Sequence, residues 1–324
     1  MRVRPHLRRK SEVSRWVGWL IAASNPEPHR LDVVVVAGDR DVHANVVEGE
    51  LRRLGARFMR VDIPSLHKVR LTARPGSFLT IDAERVDAGS TVWWRRPGSF
   101  DTGGMAADEA LLAEAEAWSV FQGSIRSSGA RVVDPPWVMH QAEDKIYQLQ
   151  LAKALGLAIP ETLVTNVATT AAAFLKSGPT VAKSTSSGPG LAPFVDEVTT
   201  DLVDLVTRLP VLLQHAIPAD ADLRVVTIGD SALVWRRERR ADDPWDWRAI
   251  DPSGRDFRLM NGVDIDRAAS RLARELGLTF SVQDWLDVQS GPVFLEVNPQ
   301  GQWLFLEGST EALAPLMARH LFGR

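Results

Sequence analysis

The apolar positions of this chain alternate between unbroken runs and helical stripes. Leu31 to Asp39 reads LDVVVVAGD, a continuous apolar run closed by turn residues, the pattern of a strand buried on both faces. Val42 to Gly55 carries a helical stripe that stops at a glycine, and ARFMRVDIP follows as a second strand. A β-α-β opening of this kind predicts an α/β domain built on a parallel sheet. FLTID and TVWWRRP predict further strands, and Asp108 to Ser128 a long Ala/Leu/Glu-rich helix. RVVDPP closes the region, and its double proline suggests a boundary near Asp134.

A second region starts with a helix from Gln141 to Leu155, ended by Gly156, then the strand IPETLVTN and a helix around Thr169 to Lys176. TVAKSTSSGPG is a strand that runs into a Ser/Gly-rich loop, and VLLQHAIP is another apolar strand. From Ala219 the pattern changes. DLRVVTIGDSALVWRRERR predicts two strands joined by a hairpin turn at Gly229-Asp230. Asp242 to Gly254 is a polar, Trp-rich loop, and Ile265 to Leu276 a helix closed by Gly277. TFSVQDWLDVQSGPVFLEVNP predicts a strand, a Ser290-Gly291 turn and a last strand, before a short C-terminal helix. The chain has no internal repeat. It divides into an extension over 1–30, an N-terminal domain over 31–134, and two further regions over 135–217 and 218–324.

Composition narrows the classes. The 324 residues, 45% hydrophobic and 24% charged, leave room for two or three small domains. A net charge of -3 gives no basic excess for duplex nucleic acid, and the absence of cysteine excludes disulfide and thiolate chemistry. Eleven Trp stand against one Tyr, for which composition supplies no physical reason. MRVRPHLRRK followed by VGWLIAA has the outline of a signal peptide, but the apolar run is short and SNPEPHR breaks it, so residues 1–30 read as a flexible extension or interaction arm. No stretch approaches the roughly 20 apolar residues of a membrane span. The expected location is the cytoplasm.

Candidate chemistry sits at the end of the chain, in FLEVNPQGQWLFLE. Glu296 and Asn298 are two apart on a strand and so share a face. A buried carboxylate is costly unless paired or bound to a cation. Two readings follow: a strand end with a salt-bridged Glu, or hard oxygen ligands for Mg²⁺ shared with phosphates and water. Lys183 ends an apolar strand, Lys145 lies early in a helix, Arg224 and Arg236 fall at a strand start and a strand end, and Asp284 lies on the penultimate strand. Cations from mid-chain and oxygen ligands from its end suit a nucleotide triphosphate with Mg²⁺, over which a Ser/Gly loop would donate backbone N–H groups. Each residue alone also fits a solvated strand end or a local ion pair such as Asp222 with Arg224. There is no GxxxxGK[ST], and Ala37-Gly38-Asp39 lacks the dinucleotide fingerprint, so the first domain reads as Rossmann-like without that cofactor site.

From about Leu31 onward the chain resembles the ATP-grasp enzymes of the microviridin/graspetide type, which mature ribosomal peptides. The residues that carry the resemblance are VWWRRP, AEDKIYQLQLAKALGLAIPETLVTN, LLQHAIPADADLRVVTIGD, the WDWR of Trp245 to Arg248, and FLEVNPQGQWLFLE. EVNP marks ATP-grasp, and its GQW continuation marks the maturase branch. The implied fold is α/β and α+β: an ATP-grasp fold behind a Rossmann-like N-terminal domain. The resemblance implies that Lys145 and Lys183 contact nucleotide phosphates and that Gln214 to Ile217, with His215 among them, hold adenine. It places Arg224 and Arg236 against the transferring phosphoryl, Arg248 near the substrate carboxylate, and Asp284, Glu296 and Asn298 on Mg²⁺. Two departures stand out: Ala219 replaces a Lys often found after the hinge proline, and VWRRERR is unusually basic.

The implied reaction uses ATP and Mg²⁺. A side-chain carboxylate of a precursor peptide is activated as an acyl phosphate and then joined to a Ser, Thr or Lys side chain of the same peptide. The partner is that peptide, leader plus core, with no nucleic acid or membrane, and a homodimer is implied by the family alone. Arg236 to Arg240 form either an attractant for an acidic core peptide or a solvated charge run. Two other readings remain: an ATP-grasp ligase that adds a free amino acid to a protein or peptide, and a non-catalytic peptide-binding module on the same fold.

Overall fold

A computed structural model describes residues 28–183, 206–251, 253–260 and 265–323. The expected Ser/Gly loop after Lys183 and most of the N-terminal extension lie outside these residues.

The first region follows the apolar pattern. β1 (Val33–Val36) leads through α1 (Val42–Arg53) to β2 (Phe58–Val61), and the two strands pair in parallel. A small antiparallel sheet of β3 (Leu71–Thr72), β4 (Leu79–Ile81) and β5 (Glu84–Val86) is inserted next. Its outer strands are too short to register as apolar periodicity. β6 (Thr91–Trp94), α2 (Ala107–Ser127) and β7 (Arg131–Val133) complete a parallel sheet of order β2-β1-β6-β7. All four valines of β1 are fully buried. Val34 and Val36 face a core that includes Phe121 and Ile125 of α2, while Val33 and Val35 face the opposite core. A strand covered on both sides has no polar face to show, hence the unbroken run.

The single helix expected from Gln141 to Leu155 is two. α3 (Pro136–Ala142) ends, and Asp144 caps a new helix, α4 (Lys145–Ala154), by accepting hydrogen bonds from the backbone N–H groups of Ile146 and Tyr147. A carboxylate in that position satisfies orphan donors and resets the helix direction. β8 (Thr162–Thr165), α5 (Ala168–Ser177), β9 (Thr180–Lys183) and β10 (Val211–His215) follow, and the strands form an antiparallel sheet of order β8-β10-β9.

β11 (Ala221–Ile228) and β12 (Ser231–Glu238) form the expected hairpin. β13 (Arg258–Met260), α6 (Ile265–Glu275), β14 (Phe280–Asp287), β15 (Val293–Asn298) and α7 (Ser309–Phe322) complete the chain. The sheet is antiparallel, in the order β13-β12-β11-β14-β15. α7 returns to pack on α1 and also meets β6 and β11, so Val33, Val35 and Trp93 share one core with Val226, Val282 and Met317. The tryptophans acquire a reason here: Trp93, Trp94, Trp235, Trp285 and Trp303 are all buried in the two main cores.

His43 joins the first helix to the turn after β15. Its Nε2 accepts from the backbone N–H groups of Trp303 at 3.1 Å and Leu304 at 3.4 Å, and the Trp303 ring meets it edge-on. Burial, and then the nearby Arg95 charge, push His43 down to about 3. The folded chain therefore keeps a neutral imidazole that the unfolded chain protonates below its ordinary value of about 6.5. The stability this contact provides is present above that value and is lost as pH falls toward 3. Between pH 7 and pH 5 linkage predicts a loss of about 2 kcal/mol from this group alone. Urea unfolding of the parent chain and of His43→Gln at both pH values measures it, and equal losses in the two proteins would remove His43 as the cause.

Candidate active site

Register builds the centre of the site. Arg224 on β11 lies opposite Asp284 on β14, and Asp284 lies opposite Glu296 on β15. Asn298 follows two residues on, so four polar side chains share one face of three adjacent strands. Arg224 Nη1 is 2.7 Å from Asp284 Oδ1, and its Nη2 donates to the Gln302 carbonyl at 2.9 Å. Asn298 donates to Glu296 at 3.3 Å. The local pair suggested by Asp222 and Arg224 does not form: Asp222 takes Arg237 and Arg239 instead, at 3.0 and 2.9 Å. The turn after Asn298 presses on β14, where a Cβ on Gly301 would sit 2.3 Å from Val282 Cβ. Only glycine fits there.

The second region brings the lysines. Lys145, the first residue of α4, places Nζ 3.0 Å from Glu296 Oε2. One turn later Gln148, fully buried, donates to the Val297 carbonyl at 2.8 Å and accepts from the Val297 N–H at 2.8 Å. β15 is a sheet edge with unpaired backbone groups, and Gln148 satisfies one residue's worth of them between Glu296 and Asn298. One helix thus supplies a cation to the carboxylate and fixes the strand that carries it. Lys183 ends β9 at the same place. Burial raises Glu296, but the ammonium groups of Lys145 and Lys183 outweigh it and hold this carboxyl at about 2. Asp284 moves the other way: burial, with Glu296 beside it, raises it against the pull of Arg224. Burial lowers Lys183, opposed by Glu296.

These groups line a cavity of about 360 Å³ between the β8-β10-β9 sheet and the five-stranded sheet. Gln214, His215, Ala216 and Ile217 form its wall at the end of β10. Gln214 is anchored to Thr162 at 3.0 Å, while the His215 ring stacks on Phe174 at 4.2 Å and pairs with Glu161, so that ring is held on the α5 side. Arg248 also lines the cavity, its guanidinium held by Asp246 at 2.6 Å and raised chiefly by that hydrogen bond.

Arg96 lines the same cavity and was not singled out in the sequence. It sits at φ 37, a backbone conformation costly for a residue with a Cβ, and its N–H and Nε donate to Gln300 at 2.9 Å each. Arg95 beside it is buried and donates to the carbonyls of Gln300 and Gly301. The pair ties the first domain to the turn after Asn298. The signal was present as the RRP of TVWWRRP, but sequence offered no partner two hundred residues away.

Arg236 is the correction. It lies opposite Leu223, one residue out of step with Arg224, and therefore on the other face of the sheet. There it pairs with Asp287 at 3.2 Å and with Glu238, and it lines a separate recess with Arg258 and Met260. Arg236→Ala is accordingly expected to leave ATP turnover within about twofold of the parent, as exposed ion pairs contribute little. A large loss in an ADP-release assay would put Arg236 back in the site.

Among the described residues no three His, Cys, Asp or Glu side chains gather into a self-sufficient metal site. Asp284, Glu296 and Asn298 are two carboxylates and an amide, the sparse oxygen set that suits Mg²⁺ sharing its remaining positions with phosphates and water. No described helix is long and apolar enough to cross a membrane.

A parallel sheet with flanking helices, followed by two antiparallel sheets that close on a cavity lined by lysines and carboxylates, is the ATP-grasp architecture, and the chain has that fold. Solved structures bear this out. The macrocyclase MdnC from Microcystis aeruginosa MRC, bound with precursor peptide MdnA, matches with a TM-score of 0.77 at 23% identity over 90% of this chain and 99% of its own. A RiPP-associated ATP-grasp ligase from Chryseobacterium gregarium, in complex with ADP and a leader and core peptide, matches at 0.79 and 20% identity over 90% and 96%. The ATP-grasp ligase PsnB, complexed with minimal precursor, Mg and ADP, matches at 0.74 and 19% over 90% and 97%. No family model and no curated protein matches the chain.

Proposed function

We propose that this protein is an ATP-dependent, ADP-forming ligase that joins side chains within a ribosomally made precursor peptide. The observation that carries the reading is the convergence of Asp284, Glu296 and Asn298 with Lys145, Lys183, Arg224 and Arg248 in one cavity between the two antiparallel sheets. The fold supports it: the similar structures hold a precursor peptide, in two of them together with ADP and in one of these also with Mg. ATP as co-substrate suits the cytoplasm.

Gln214 to Ile217 would hold the adenine end of ATP, and Lys145 and Lys183 its phosphates. Asp284, Glu296 and Asn298 would hold Mg²⁺, which offsets phosphate charge. Both carboxylates are already matched by cations, Asp284 by Arg224 and Glu296 by Lys145. When nucleotide enters, Lys145 would turn to phosphate and leave Glu296 to the metal. Arg224, Arg248 and Arg96 would orient an Asp or Glu carboxylate of the peptide. That carboxylate attacks the γ-phosphorus, the bond to the bridging oxygen breaks, and ADP leaves. A Ser or Thr hydroxyl, giving an ester, or a Lys amine, giving an amide, then attacks the acyl carbon, loses its proton and expels phosphate. Positioning and charge compensation supply the rate, so the residues need only hold geometry.

Intact mass spectrometry tests the reading. Purified protein, ATP, Mg²⁺, a mixture of free amino acids and the short peptide encoded beside its gene should yield ADP and a peptide lighter by one or more waters. A peptide heavier by an amino-acid residue would make the protein a terminal ligase, and an unchanged mass with peptide bound would make it a binding module.

A further inference from the structure

The long helix α2 presents an apolar face that no described residue covers. Its inner side is fixed, with Phe121 and Ile125 buried in a core shared with Leu79 and Ile81 of β4. On its outer side Leu111 is 71% exposed, Leu112 63% and Val120 57%. Leu112, Ala115, Ser119 and Gly123 follow in steps of three and four, so small side chains run in line with a leucine. Single exposed apolar residues are ordinary, but adjacent leucines this open on one helix mark a contact surface. The helix is also acidic: it carries Asp108, Glu109, Glu114 and Glu116 against one basic residue, Arg126.

We infer that this face is the docking surface of the chain's own N-terminal segment, residues 1–27. Charge is the first argument. The segment carries Arg2, Arg4, Arg8, Arg9, Lys10 and Arg15 against Glu12 and Glu27, the opposite balance to α2. Pattern is the second: Val13, Trp16, Val17, Leu20 and Ile21 recur at i, i+3, i+4, i+7 and i+8, one apolar stripe to match another. Place is the third. The chain enters the fold at the small sheet, where Arg85 N–H donates to the His29 carbonyl at 2.9 Å and Leu31 N–H to the Arg85 carbonyl at 2.8 Å. β5, which holds Arg85, pairs with β4, and β4 is the strand on which α2 packs. The apolar stripe therefore joins the fold one strand from its target, and the half-dozen residues between them reach roughly 20 Å when extended. None of this depends on the reading of the cavity.

Limited trypsin digestion of the full-length chain, followed by intact mass, reads the docking through cleavage after Arg15. Leu112→Arg places a like charge on an exposed position of the face and is not expected to change thermal melting. Docking predicts that this variant, and Leu20→Asp from the other side, speed cleavage after Arg15 about tenfold or more, because the site is cut from its open form. Cleavage of the parent and both variants at one rate overturns the inference. So does a parent rate that varies with protein concentration, or an unchanged rate in a Leu112→Arg variant that light scattering finds dissociated from a dimer, since either gives the face to a second copy.

Discussion

Glu296→Ala is expected to abolish ATP-dependent condensation while peptide binding stays within a few fold of the parent. The carboxylate sits opposite Asp284 and next to Asn298, with Lys145 Nζ at 3.0 Å, and none of these groups needs the peptide to hold it in place. On the proposed reading, removing it deletes one of the two protein carboxylates that would face Mg²⁺, and it leaves two ammonium groups, Lys145 and Lys183, without their shared counter-ion. Loss of one preorganised charge-stabilising group costs on the order of a thousandfold in rate. ADP release and peptide mass measured together give the result, and Glu296→Gln separates charge from volume: it keeps the side chain's size and should be nearly as inactive. Turnover of Glu296→Ala at the parent rate would sink the metal assignment and leave Glu296 as a salt-bridged strand end.

That bland alternative was legible from the start, and it explains what the sequence conveys and what it hides. Periodicity announces elements whose faces differ or vanish. LDVVVVAGD was readable as a strand because burial leaves it no polar face, and in VFLEVN Glu296 with Asn298 stood out against otherwise apolar neighbours. Periodicity does not announce how strands align. Arg224 and Arg236 look equivalent in the sequence, yet the hairpin register sets Arg236 opposite Leu223 and turns it to the far side of the sheet. A period of two makes such an error total rather than partial. The break between α3 and α4 was hidden for a different reason: Asp144 is an ordinary helix residue until its carboxylate takes the N–H groups of Ile146 and Tyr147. Arg96 and Gln148 were hidden because their work is long-range. Gln148 supports β15 from 149 residues away, and Arg96 reaches Gln300 from 204 away. Their neighbours in sequence give no hint of the backbone groups they meet.

Arg224→Lys is expected to cost about a hundredfold or more in kcat, although it keeps the positive charge. The arginine uses its planar fork at two places at once, with Nη1 on Asp284 and Nη2 on the Gln302 carbonyl, and its guanidinium lies 5.5 Å from the Phe305 ring centre. A lysine can meet one of those partners and cannot span both. The Gln302 carbonyl would be left without this donor, at a cost of about 1–3 kcal/mol in stability. The third donor decides the interpretation. Nε of Arg224 is buried and has no hydrogen-bond partner among the described residues, so a substrate oxygen that reached it would complete the guanidinium's hydrogen bonding. If Arg224 serves only to hold Asp284, the lysine variant will melt earlier but recover its rate at saturating ATP and Mg²⁺, because mass action refills a weakened site. If its N–H groups stabilise the phosphoryl in flight, kcat stays low however much ligand is added, since only interactions stronger in the transition state than in the ground state set that rate.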